Sequence, residues 1–111
     1  TGYGDGYVEI NQTPYAHAVL LSSDGAISEW PVQSFDGLEA SHFTQMVELK
    51  PELVLIGTGN KQRFPKPELL KSLILAKIGF EIMDSQAACR TYNILVGEGR
   101  QVLLALIVES N

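Results

Sequence analysis

At 111 residues, with 45% hydrophobic and 19% charged content, the chain has the length and composition of one domain whose core needs no staples. A net charge of −5 without a basic-aromatic pattern argues against general nucleic-acid binding, and no apolar run approaches the ~20 residues of a membrane span. The single cysteine, Cys89, excludes an internal disulfide and fits a reducing compartment.

The elements follow in chain order. Tyr7 to Ile10 alternates polar and apolar residues and predicts a half-buried strand. His17 to Ser22 predicts a second strand, with His17 half-buried in it. Asp24-Gly25 supplies the pair that a tight hairpin turn favours, because positive φ costs glycine little. Ala26 to Trp30 returns as the third strand, and Pro31 ends it by removing a ladder donor. Leu38 to Val47 reads as a short helix capped by Asp36. Leu53 to Ile56 is short and continuously apolar, the pattern of a strand buried on both faces. Pro67 opens a helix whose stripe is Leu69, Leu70, Leu73, Ile74 and Ile78, and Gly79 is expected to stop it. Leu75 falls off that stripe and is expected at the surface or against a partner. Phe80 to Met83 predicts another strand. Asp84 or Ser85 then caps a helix over Ala87 to Val96, closed by Gly97 and Gly99, and Val102 to Val108 is the last strand.

The resulting order is β-β-β-α-β-α-β-α-β. It predicts an α/β fold over residues 1–111: a single layered domain with a central mixed β-sheet, helices packed on it and an N-terminal antiparallel β-hairpin. If the strands ending near Gly57 and Met83 are parallel neighbours, their C-terminal ends share one edge, where open α/β sheets bind ligands. Gly57, Thr58, Gly59, Asn60, Lys61 and Arg63 would meet Asp84 and Ser85 there, with Arg90 about two turns into the helix. These nine residues are the candidate anion-binding or partner-binding site.

The Gly-Thr-Gly turn fails both nucleotide signatures at Gln62, where each requires glycine. Two readings remain: a shallow anion nest assisted by Lys61 and Arg63, or glycines that relieve crowding at a strand exit. All eight Lys and Arg lie between Lys50 and Arg100, and five of them fall in residues 61–77 beside the single acid Glu68. That segment is either a patch for an acidic partner or the solvated face of a helix. His17 and His42 lack ligand spacing, so no metal site and no cofactor are predicted. Cys89 near a helix start could be an activated thiol or a packed one. No carboxylate pair stands out, and no catalytic residue is assigned. Arg90 to Asn93, "RTYN", places poor helix formers around an aromatic, which suggests either a buried network or a site.

"GTG" after an apolar strand, Pro65, "GFEIMDS", "AACRTYN" and "EGR" before the last strand together resemble one family along nearly the whole chain. It is the family of the methanobacterial hypothetical-protein fold, which includes the mitochondrial complex I assembly factor 3 and a mammalian adipogenesis-associated protein. Ser85 stands where that family leads one to expect Thr, which keeps the hydroxyl. The resemblance implies an α/β fold with a mixed sheet and action through protein partners. It carries over no catalytic residue.

Two functions follow as expectations. The first is a non-enzymatic, assembly-factor-like interaction domain with an unidentified protein partner, self-association left open. The second is a small anion-binding domain or an enzyme using the Gly57–Arg63 turn. The chain opens on Thr1 rather than Met, so residues upstream are expected to be missing. With no visible signal or transit peptide, a cytoplasmic location without membrane insertion is expected.

Overall fold

The computed structural model describes residues 2–109. Its strands are β1 (Gly2–Gly4), β2 (Tyr7–Ile10), β3 (Thr13–Tyr15), β4 (Val19–Ser22), β5 (Ile27–Glu29), β6 (Leu53–Gly57), β7 (Gly79–Met83) and β8 (Val102–Leu106). Its helices are α1 (Ala40–Val47), α2 (Lys71–Leu75) and α3 (Ser85–Gly97). The mixed sheet runs β5-β4-β8-β6-β7, with β6 parallel to both β7 and β8, and with β4 antiparallel to β5 and β8. The α/β architecture and the hairpin at Asp24-Gly25 agree with the sequence. Gly25 sits at φ +93°, and its N–H donates to Ser22 O at 2.9 Å.

Strand alternation sorts the core into two sides. Leu20, Val54, Ile56, Leu103, Ala105 and Ile107 pack with Trp30, Phe43, Met46 and Leu73 under α1 and α2. Val19, Leu21, Leu55, Val102, Leu104 and Leu106 pack with Ala88, Cys89 and Tyr92 of α3. This burial on both faces is why β6 and β8 read as continuous apolar runs.

The N-terminal region departs from expectation. Tyr7–Ile10 does not join the central sheet. It is the middle of a separate antiparallel sheet, β1-β2-β3, whose outer strands were not predicted. Only Val8 and Ile10 are deeply buried, and they lie on the α3 side of the core. The glycines of β1 and the proline of β3 are poor strand formers, so pairing to β2 rather than propensity makes these strands. His17 lies outside β4 and is exposed, edge-on to Tyr15.

Helix ends differ as well. Asp36 falls in a short 3-10 turn, Phe35–Gly37, and does not cap α1. The cap is Glu39, whose side chain accepts from the His42 backbone while its own N–H donates to His42 Nδ1 at 2.9 Å. This is a capping box with histidine in the place usually held by Glu or Gln, which hid it from the sequence. Pro67 begins a 3-10 turn, Pro67–Leu70, that leads into α2. Gly79 does not stop α2, because it is already the first residue of β7.

The stop is Lys77, at φ +59°. Ile78 N–H reaches Leu73 O at 3.0 Å and Lys77 N–H reaches Ile74 O at 3.1 Å, the paired closure a left-handed residue permits. A side chain there carries steric cost that glycine avoids, partly offset by glycine's greater unfolded freedom. Lys77→Gly is therefore expected to stabilise the domain by about 0.5–1 kcal/mol, read as a higher urea midpoint at unchanged slope.

Candidate functional site

Three parallel strands in register end at one edge. Gly57 is level with Met83 of β7 and with Leu106 of β8. Thr58 N–H donates to Met83 O at 2.9 Å, Ser85 N–H to Gly59 O at 2.8 Å and Ile107 N–H to Gly57 O at 2.9 Å. The fully buried Ser85 hydroxyl joins two exits, donating to Ile107 O at 2.6 Å and accepting from Gly59 N–H at 2.8 Å. Asp84 is the helix cap, its Oδ1 accepting from Ala87 N–H at 2.8 Å. The choice between Asp84 and Ser85 as cap is thereby decided for Asp84, with Ser85 as the first helical residue.

The glycines answer to crowding. A Cβ on Gly57 would stand 2.7 Å from Leu106 Cδ1 and 3.0 Å from the Ser85 Cα. Gly59 sits at φ +104°, where a Cβ would fall on the carboxylate of Glu109. Thr58 is buried; its Oγ1 donates to Lys61 O at 2.8 Å and accepts from Arg63 N–H at 3.0 Å, which closes the loop on itself.

Glu109 fills the middle of this loop. Its Oε1 accepts from Asn60 N–H at 2.8 Å and from Arg63 Nη2 at 3.1 Å, and its Oε2 accepts from Arg63 Nη1 at 2.8 Å. The Arg63 guanidinium also lies 5.6 Å from the centre of the Phe35 ring. Tyr3 OH accepts from Glu109 N–H at 2.9 Å and donates to Asn60 Oδ1 at 3.1 Å, tying the small sheet to the same point. The hydrogen bonds from Arg63 hold the Glu109 carboxyl below the usual carboxylate range, and the Glu109 partner raises Arg63 in turn. Burial pushes the Tyr3 phenol up.

The sign of the pH effect follows. Glu109 titrates lower in the folded than in the unfolded chain, so its contribution is complete above about pH 4.3 and is lost as pH falls through the folded value. Between pH 5 and 3 the melting temperature of the parent chain is expected to fall more steeply than that of Glu109→Gln. Parallel curves would show that this pair does not set the acid limb.

Two cavities open at this edge. One of about 290 Å³ is lined by Tyr3, Asp5, Asn60, Asp84 and Gln86, and one of about 350 Å³ by Phe35, Asp36, Lys61, Arg63 and Glu109. The edge therefore gathers eight of the nine predicted residues. Arg90 is exposed on α3 and lines neither cavity. Tyr3 and Glu109 were missed. Glu109 had a usable signal: an acid three residues beyond an apolar strand whose parallel placement brings its C-terminal end to this edge. Tyr3, in a Gly-Tyr-Gly strand, had none.

"RTYN" serves the helix-to-sheet join. Tyr92 is buried and its OH donates to Ser22 O at 2.9 Å, while Thr91 Oγ1 donates to Met83 Sδ at 3.5 Å. Tyr92→Phe should cost about 1 kcal/mol, measured by denaturant unfolding. Cys89 is 2% exposed, and burial pushes its thiol up to about 11. The packed reading of Cys89 follows, since the thiolate is the reactive form. An aromatic disulfide reagent at pH 8 should label it orders of magnitude faster in denaturant than in the native state.

Residues 1–107 match the family model described as a protein of unknown function, DUF498/DUF598. The chain belongs to the DUF498/DUF598 family. Its relatives include the 13 kDa major membrane protein of Francisella tularensis subsp. holarctica (strain LVS), 32% identical over 95% of this chain and 86% of that one. They also include NADH dehydrogenase [ubiquinone] 1 alpha subcomplex assembly factor 3 of Mus musculus, 32% identical over 92% of this chain. This DUF498/DUF598 chain spans only 55% of that assembly factor. Among solved structures, a Bordetella parapertussis protein superposes with a TM-score of 0.89 at 45% identity, covering 96% of this chain and 92% of the other. A Bordetella pertussis protein described as an Mth938-like domain gives 0.86 at 36% identity, covering 100% and 85%. The family resemblance drawn from "GFEIMDS" and "AACRTYN" is thus borne out. Among the described residues, no helix is long and apolar enough to cross a membrane.

Proposed function

We propose that this DUF498/DUF598 domain acts by binding another protein, as an assembly-factor-like module. The observation that carries this reading is an apolar surface threaded with cations along one segment. Phe64 is 69% exposed, Leu75 71% and Ile74 55%, and between residues 61 and 77 they alternate with Lys61, Lys66, Lys71 and Lys77. Phe64 borders a cavity of about 390 Å³ with Phe35, Leu38, Pro65 and Leu69, the kind of recess that receives an apolar anchor from a partner. The similarity to complex I assembly factor 3 supports the same reading, as does the position of Leu75 off the buried stripe of α2.

The test is affinity capture from native lysate with the parent chain and with Phe64→Ser and Leu75→Asp. A defined protein retained by the parent and lost by both variants is the expected result. Equal recovery by all three, or no partner under gentle conditions, would refute the reading.

A further inference from the structure

The cavity bordered by Phe35, Asp36, Lys61 and Arg63 ends on a carboxylate that is held as a bound ligand would be held. Glu109 Oε1 takes the Asn60 N–H and one Arg63 nitrogen, and Oε2 takes the other nitrogen. The planar guanidinium fork matches two carboxylate oxygens, and a backbone N–H completes the grip. Gly59, at φ +104°, leaves open the volume that the carboxylate fills. Arg63 keeps 27% of its side chain exposed and Glu109 20%, and the exposed Lys61 lines the same cavity. The loop is thus a formed carboxylate receptor whose occupant is supplied by the segment just beyond β8.

We infer that the Gly57–Arg63 loop is a carboxylate-binding site kept closed by Glu109, and that an incoming carboxylate enters by displacing it. The exchange conserves the number of charge-assisted bonds on Arg63 and returns Glu109 to water. Lys61 adds attraction for the incoming group. Because Glu109 is tethered, its effective concentration at the loop is of millimolar order or above, so the closed site resists free ligand and opens to it once Glu109 is removed.

The experiment titrates sodium acetate, with sodium chloride at matched ionic strength, into 15N-labelled parent chain, Glu109→Gln and Glu109→Gln/Arg63→Ala. The Asn60 amide resonance is followed. Glu109→Gln is expected to bind acetate at least ten-fold more tightly than the parent, and the double variant is expected to lose saturable binding. Equal affinity in parent and Glu109→Gln, saturable binding kept without Arg63, or no saturable binding by Glu109→Gln would each overturn the inference. Sodium phosphate runs in parallel, and phosphate bound more tightly than acetate would overturn the carboxylate assignment. Glu109→Ala provides a second measurement that tolerates a destabilised fold. Acetate should raise its melting temperature by several degrees where sodium chloride does not, and equal effects of the two salts would count against the site.

Discussion

Gly59→Ala is expected to lower the melting temperature by about 12 °C. Two costs combine. A residue other than glycine at φ +104° carries roughly 1–2 kcal/mol of backbone strain. The new methyl would also occupy the place of the Glu109 carboxylate, which loses its bonds to Asn60 N–H and Arg63. Hydrogen bonds to charged groups contribute roughly 1.5–3 kcal/mol, so the sum is about 3 kcal/mol, and each kcal/mol shifts a domain of this size by about 4 °C. A double-mutant cycle separates the two causes. In a Glu109→Ala background the same change should cost only the backbone strain, roughly 1–2 kcal/mol. Thermal melts of the four proteins that showed simple additivity would remove Glu109 from the explanation.

Ser85→Ala is the second large effect, expected at roughly 2–4 kcal/mol. Its hydroxyl is fully buried and serves as both donor and acceptor, to Ile107 O and from Gly59 N–H. Alanine provides neither function, so a buried carbonyl and a buried N–H lose this partner together, and a buried group without a partner costs the full desolvation penalty. Ser85→Thr, which keeps the hydroxyl, should retain most of the stability. Amide exchange at Gly59 gives a local readout and should accelerate in Ser85→Ala far more than in Ser85→Thr. A loss below about 1 kcal/mol would mean that the strand exits do not depend on this bridge.

Gly59, Ser85 and Glu109 meet at the same few atoms of this edge. The Gly-Thr-Gly turn carries the crowding reading directly. Its glycines relieve crowding, since Leu106, Ser85 and Glu109 occupy the space where their Cβ atoms would stand. The Asn60 N–H that follows it and Arg63 hold a carboxylate, that of the chain's own Glu109. Lys61 and Arg63 are equivalent as sequence and differ in the fold: Arg63 pairs with a carboxylate, while Lys61 stands exposed beside it at the cavity.

Much of the fold was legible because short-range patterns encode it. The apolar runs of β6 and β8 mark burial on two faces, and Asp24-Gly25 marks a hairpin because the turn needs positive φ. Parallel order follows from helices alternating with strands. The places where local reading failed share one cause: their conformation is imposed from outside the segment. β1 and β3 exist because β2 offers them a ladder. Lys77 ends α2 in a left-handed state because β7 begins two residues later and the chain must turn there.

By itself, then, the sequence determined the α/β class, the mixed sheet, the edge at which Gly57, Thr58 and Ser85 meet, and the family. Each of these rests on periodicity, turn chemistry or a local run of residues. Only the tertiary structure decided what occupies that edge. Glu109 lies 46 residues from Arg63, and Tyr3 lies 106 from Glu109. No local pattern couples positions so far apart. They meet because β8 lies parallel to β6 and because the small sheet is tied to the segment that leaves it.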